Sequence, residues 1–227
     1  SRPAARMREF VLALRAIWSA WERGEPLAFR GEFYTHTLMT PAFTAPIGPH
    51  GPPPVYLAAV GPLMTAVAGE VADGLLAHPF LTERYLSEVM IPAIEAGRAR
   101  AGRTMADFEI GLSAFVALDD ADVEAVRRQI SFYGSTPPYR PVLDLHGWGD
   151  LQTELNGLSK QGRWDDMVGL VDDEVLHAMC SVGTAAEVAA DLHHRYGARV
   201  QRIRFNRPGE IPSPARFADL VDATRRL

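Results

Sequence analysis

The sequence predicts an α/β chain of alternating strands and helices that makes up part of an eight-stranded (β/α) barrel. Three observations carry this. Strand-like runs at 55–60, 75–78 and 108–118 are each followed by a segment of helical periodicity, and a fourth run, 200–205, follows a helix over 185–196. Strands separated by helices pair in parallel through right-handed crossovers. Four such strands suit a small doubly wound sheet or part of a barrel of about 250 residues. The opening decides for the barrel, because the chain starts on a helix that needs a strand before it and has none.

Met7 to Trp21 places Phe10, Val11, Leu14, Ile17, Trp18 and Trp21 at helical spacing, a core-facing amphipathic helix that Gly24 ends. From about 27 to 54 the pattern is irregular. Phe29 to Tyr34 suits a short strand or hairpin, the prolines between Pro41 and Pro54 mark a functional loop or a disordered linker, and Phe29, Phe33, Tyr34, His36, Met39 and Phe43 favour an ordered loop. Val55 to Val60 is a β-branched and aromatic run that feeds Gly61-Pro62, after which small residues with helical periodicity continue to Asp73-Gly74. Pro62 suits a first helical turn, where its missing N–H costs nothing. The free amides of such a turn face the end of the strand and suit an anion, phosphate above all. One glycine, no GxGxxG and no Lys-Ser/Thr pair exclude a dinucleotide fingerprint and a P-loop.

Leu75 to His78 reads as a buried strand with Pro79-Phe80 as its exit. Thr82 then opens a helix through Ala99, which Pro92 bends. Phe108 to Leu118 is the longest strand candidate, and the helix after Asp119-Asp120 carries Val123, Val126, Ile130 and Phe132. A helical excursion fills about 137–183. Thr184, three residues before Glu187, is a capping box for the helix to Tyr196, and a last helix spans Pro214 to Leu227.

With 47% hydrophobic residues over 227 positions the chain can bury a full core, and it reads as a single partial barrel domain, 1–227. The net charge of −5 is spread over both halves without a basic stripe, which argues against nucleic-acid and membrane partners. The lone Cys180 excludes an internal disulfide and fits a reducing cytoplasm, and no apolar run approaches the roughly 20 residues of a membrane span. His36, His50, His146, His177, His193 and His194 show no metal spacing, so no metal site is expected. Asp173 and His177, four apart, belong to a solvated acidic face, and Cys180 belongs to the core.

Several segments together resemble the luciferase-like monooxygenase superfamily, in its branch of oxidoreductases that use the deazaflavin coenzyme F-420 rather than FMN. They are Ser1-Arg2-Pro3-Ala4-Ala5-Arg6-Met7-Arg8-Glu9-Phe10, Phe29-Arg30-Gly31-Glu32-Phe33-Tyr34, Pro54-Val55-Tyr56-Leu57-Ala58-Ala59-Val60-Gly61-Pro62, Ala68-Gly69-Glu70-Val71-Ala72-Asp73-Gly74 and Phe132-Tyr133-Gly134-Ser135-Thr136-Pro137. The resemblance implies a TIM (β/α)8 barrel of the bacterial luciferase-like type, of which this chain is the C-terminal half to two-thirds. About a hundred further residues would carry the remaining strands. With unpaired barrel edges, the missing half was removed, went unobserved or is replaced by pairing with another copy of the chain, and a homodimer is expected.

The resemblance also implies the chemistry: hydride transfer between the deazaflavin and a small organic substrate, with an FMN-dependent monooxygenase and an inactive remnant or binding module as alternatives. Carried over residue by residue, it places Ala59, Val60, Gly61, Leu63 and Met64 at the cofactor phosphate and ribityl chain, with Pro62 shaping the turn. At the next strand's exit, where relatives that oxidise a sugar phosphate bring Thr and Lys to the substrate, this chain offers His78, Pro79, Phe80 and Leu81, and a more apolar substrate is expected. His78 is the candidate catalytic polar group, with Phe80, Tyr133 and Tyr139 lining the substrate pocket. The family's own acid and base at the reacting carbon lie on strands outside this sequence.

Overall fold

The computed structural model describes residues 2–208 and 214–226; Ser1 of the first motif and Leu227 of the last helix lie outside them. In chain order the elements are α1 (Pro3–Arg23), β1 (Phe29–Arg30), β2 (Thr35–His36), β3 (Tyr56–Ala59), α2 (Pro62–Val71), β4 (Gly74–Ala77), α3 (Glu83–Tyr85), a π-helical turn (Leu86–Met90), α4 (Ile91–Arg100), β5 (Glu109–Ala117), α5 (Asp120–Gly134), α6 (Arg140–Asp144), α7 (Gly149–Lys160), α8 (Trp164–Val168), α9 (Asp173–Met179), β6 (Cys180–Val182), α10 (Ala185–Tyr196), β7 (Arg202–Asn206) and α11 (Pro214–Arg225). They form two compact units: Ser1–Leu75 with Pro92–Phe108, and Leu76–Ile91 with Glu109–Leu227.

In the first unit α1 starts four residues earlier than its apolar spacing suggested, because Pro3 at N1 is pre-set for a helix, and it ends on Gly24 at φ 65°. Its buried side chains are Val11, Ala13 and Ala20, whereas Phe10 is half-exposed and meets Tyr34 edge-on, 5.9 Å between centroids. Val11 packs with Val67 and Val71 of α2, and with the partly buried Met7, Val55 and Leu57.

The Arg-Gly-Glu-Phe-Tyr segment is the turn of a β1–β2 hairpin, in which Phe29 faces His36 and Arg30 faces Thr35. The turn is tied to α1 by one carboxylate. Glu9 accepts the backbone N–H groups of Glu32, Phe33 and Tyr34 at 2.9, 2.7 and 2.6 Å, and a Cβ on Gly31 would collide with it. Desolvation pushes the Glu9 carboxyl up, but these amides outweigh it and hold the group below its ordinary value.

Helices α2 and α4 approach closely because two glycines permit it: a Cβ on Gly69 would strike the Ile94 carbonyl, and one on Gly97 the Ala66 carbonyl. Next to Gly97, Arg98 is buried with its Nε on the Thr104 carbonyl (2.6 Å), a second nitrogen on Asp107 and its guanidinium 5.3 Å from the Phe108 ring. Asp73 closes the far end of the strand-helix unit by accepting from the Val55 amide and from Arg15, both at 2.8 Å. Pro92 cannot donate to Glu88, and the turn before it is π-helical, with the Ile91 amide reaching the Leu86 carbonyl.

The second unit is built on β5, whose nine residues are nearly all buried, as a strand covered on both faces requires. Two of its neighbours pair with it in parallel as follows: Phe115 to Ala117 register with Cys180 to Val182 of β6, and Gly111 to Phe115 with Arg202 to Asn206 of β7. Strand β6 corrects the sequence reading, which gave the whole stretch up to Gly183 to the helical excursion. Three residues are too few to show a period, and Cys180 lies on that strand, its thiol pushed by burial up to about 12. The capping box at Thr184 and Glu187 is formed as expected.

The glycine contact between α2 and α4 gives a direct test. Gly97→Ala should lower the unfolding free energy by about 1–3 kcal/mol, as overpacking does. Denaturant titration reads this as a lower midpoint at unchanged slope, and an unshifted midpoint would mean that the two helices are free to separate.

Candidate functional site

The candidate residues fall in both units, Ala59 to Met64 in the first and His78, Phe80, Tyr133 and Tyr139 in the second. Ala59 ends β3 and is buried, Val60 and Gly61 are half-buried, and Pro62 takes N1 of the ten-residue α2. Gly61 is the N-cap, at φ −87° and ψ 159°, so no side chain caps the helix, and its first turn carries no acidic residue. The hydroxyl of Thr65 turns back to the Gly61 carbonyl at 3.0 Å instead of towards the terminus. Helix geometry leaves the amides of Leu63 and Met64 without an intrahelical acceptor.

The dihedrals of Gly61 suit any residue, and a Cβ placed on it meets nothing within 4 Å. The fold therefore does not require glycine there, in contrast to Gly69 and Gly97. An open, uncapped terminus free of negative charge matches the chemistry of a phosphate-bearing cofactor. The side chain of Leu63 is 77% exposed, so only its backbone serves such a site.

His78 follows β4 and is held from both ring nitrogens. Its Nδ1 accepts the Phe80 amide at 3.1 Å, and its Nε2 lies 3.2 Å from the Tyr139 hydroxyl. Since Nδ1 accepts, the neutral ring carries its proton on Nε2 and donates it to the Tyr139 oxygen. The proton of that hydroxyl is left to point elsewhere. Tyr139 stacks on His78 (4.7 Å, 26°), Tyr133 meets the imidazole edge-on (4.6 Å, 81°), and buried Phe80 lies 5.5 Å from the Tyr139 ring. Desolvation pushes the His78 pKa down and the Tyr139 pKa up, so both groups stay neutral at physiological pH.

Sequence reasoning missed a second histidine arrangement in the same unit. His146 Nε2 lies 2.8 Å from the Thr82 hydroxyl, and its ring stacks on Trp148 at 4.3 Å. The partners are 64 residues apart, and no local pattern announces them. The Asp173–His177 pair is local, with His177 Nδ1 donating to the Asp173 carbonyl at 2.8 Å. Among the described residues no group of three His, Cys, Asp or Glu side chains could hold a metal ion, and no helix is long and apolar enough to cross a membrane.

Known proteins resemble this chain in sequence and fold. A protein of Mycobacterium tuberculosis, itself uncharacterized, is 53% identical over 207 residues, which is 88% of this chain and 61% of that protein. An F420-dependent glucose-6-phosphate dehydrogenase of Beutenbergia cavernae is 32% identical over 124 residues, 54% of this chain and 34% of the relative. The chain thus spans about three-fifths of the first relative's length and about a third of the second's. Among solved structures, the coenzyme F420-dependent tetrahydromethanopterin reductase of Methanopyrus kandleri superposes over 97% of this chain and 62% of its own, with a TM-score of 0.72 at 22% identity, a likeness of fold. The luciferase-like monooxygenase family profile matches residues 1–202. With parallel strand–helix units, a relative sharing half its residues and a profile match over most of its length, the chain belongs to the luciferase-like monooxygenase family.

Proposed function

We propose that this chain holds the phosphate end of coenzyme F-420 in an oxidoreductase that transfers a hydride between that deazaflavin and a small organic substrate. The observation that carries the reading is the turn at Gly61, an uncapped helix terminus with a glycine that packing does not require. The names of relatives such as the F420-dependent dehydrogenase and reductase support the choice of coenzyme over FMN.

In this reading the amides of Gly61, Leu63 and Met64 orient the phosphate, and Ala59 and Val60 shape the strand end beside it. The bound coenzyme supplies the hydride chemistry. His78 holds the Tyr139 oxygen as an acceptor, so that the hydroxyl proton is available to a substrate oxygen while the ring cluster of Phe80 and Tyr133 keeps water away. The exit from β4 offers no cation between His78 and Leu81, and we therefore assign a substrate without a phosphate group.

Gly61→Asp separates ligand binding from stability. Aspartate is a favoured N-cap, so the thermal midpoint of the purified protein should hold or rise. A carboxylate at the terminus should repel the coenzyme phosphate, and F-420 affinity, read by fluorescence titration, should fall at least about tenfold. Equal affinity, or tighter binding of FMN than of F-420 by the parent protein, would refute the assignment.

The histidine–tyrosine pair gives two further expectations. Because the folded His78 pKa lies below the ordinary value of about 6.5, the unfolded chain takes up the proton first. The stability contribution is complete above that pH and is lost as pH falls below it towards the folded value. His78→Gln should flatten this part of the stability–pH curve. Tyr139→Phe should reduce kcat about a hundredfold or more while leaving the coenzyme affinity unchanged. An unchanged kcat would remove Tyr139 from the proton transfer.

A further inference from the structure

The second unit contains a cleft of about 520 Å³ that the function above does not use, walled by α3, α9, α10 and the turn after α6. Its lining holds Arg84, Arg195, Arg199, His146, His177 and His194 against a single carboxylate, Glu83. The protein as a whole has 28 acidic and 23 basic side chains, so this concentration runs against its composition. Three of its seven histidines are in this one cleft. A neighbouring depression in the same unit has the opposite character, with Glu124, Asp165, Asp172 and Asp173 around Arg127.

Each arginine is already held by hydrogen bonds within the protein. Arg195 donates to the His177 carbonyl at 2.6 Å and to Asp191 at 3.1 Å. Arg84 donates to the Leu145 carbonyl at 2.8 Å and to Glu88 at 2.9 Å, and Arg199 to Glu83 at 2.8 Å. The carboxylates of Asp191 and Glu88 do not line the cleft. A guanidinium has five donors, and those contacts use only part of them. Anchored guanidinium groups lose little freedom when they take up a planar or tetrahedral oxyanion.

Two of the histidines in the lining are held by hydrogen bonds of their own. His177 Nδ1 donates to the Asp173 carbonyl, which commits the proton of the neutral ring to that nitrogen and leaves Nε2 as an acceptor. His146 is fixed at Nε2 by Thr82, whose hydroxyl also accepts the Tyr85 amide. The volume lies within the range of small-ligand sites.

We propose that this cleft is a second binding site, for a small polyanion of the phosphate or pyrophosphate class, distinct from the coenzyme terminus at Gly61. Arg84 and Arg199 grip the anion, Arg195 supplies a further guanidinium at the end of α10, and Glu83 opposes binding by occupying Arg199.

The test is a titration of the purified protein with inorganic pyrophosphate, followed by calorimetry and by the imidazole resonances of His146, His177 and His194. Sodium chloride at matched ionic strength is the reference. Saturable shifts of these resonances that the chloride reference does not produce are expected. Arg84→Ala should weaken pyrophosphate about tenfold, the value of a charge-assisted contact. Glu83→Gln should act in the opposite direction and tighten binding several-fold by releasing Arg199. Because the two variants are expected to move affinity in opposite senses, a general loss of folding cannot imitate the result. Resonance shifts equal to those from chloride, or a Glu83→Gln variant that binds no more tightly than its parent, would overturn the proposal. An affinity for coenzyme F-420 that changes with Gly61→Asp but not with Arg84→Ala separates this site from the coenzyme site.

Discussion

The close approach of α2 to α4 is the constraint on which the first unit depends. Helix axes normally stand 8–10 Å apart because side chains separate them. Here Gly69 and Gly97 remove those side chains and bring backbone against backbone, while Val11 of α1 fills the other side of α2. Asp73 then fixes the lower end of the strand–helix unit through Val55 and Arg15. Helix α2 is therefore held on two faces and at its carboxyl end. Its amino end, at Gly61, is the one part left open, and rigidity there gives fixed amide dipoles that need no reorganisation to meet an anion.

The signals legible in the sequence were those whose physics is local. Gly24 as a left-handed cap, Pro62 at a first turn, Thr82 as an N-cap and the Thr184–Glu187 box each involve residues within four positions, and each formed. The π-helical turn before Pro92 belongs to the same class, since it is accompanied by one missing N–H. Strand β6 was not legible, because three residues beside β5 derive their conformation from pairing with Phe115 to Ala117 and not from their own pattern. The spacing of apolar residues in α1 also overstated their burial, since of the six only Val11 is buried and Phe10 is 48% exposed.

Long-range polar partners were the other illegible class, and they explain why certain motif residues are present at all. Gly31 makes sense only once the Glu9 carboxylate is known to fill the space beside it, 22 positions away in sequence. Asp122 accepts the Leu118 amide at 2.8 Å, a local contact, and also the Nε of Arg207 at 3.1 Å, which closes the second unit across 85 residues. Arg98 is a buried cation whose acceptors are a carbonyl and Asp107; removing either partner would leave charge in a desolvated place, a cost far above that of a surface pair. None of these acids and bases stands out in composition, where they are ordinary members of a 22% charged chain.

The histidines show how local and distant contacts divide the chemistry between them. In His78 the nearby Phe80 amide, two residues on, makes Nδ1 an acceptor; in His177 the Asp173 carbonyl, four residues back, makes Nδ1 a donor. One backbone group thus selects the tautomer, and the opposite ring nitrogen takes the opposite role. For His78 that opposite nitrogen meets Tyr139, 61 residues away, which becomes an acceptor at oxygen and keeps its own proton for another partner. The sequence contains the local half of this arrangement, a His followed at the second position by an amide. The distant half requires β4 and the turn after α5 to meet, and so the direction of proton donation emerges only from the folded unit.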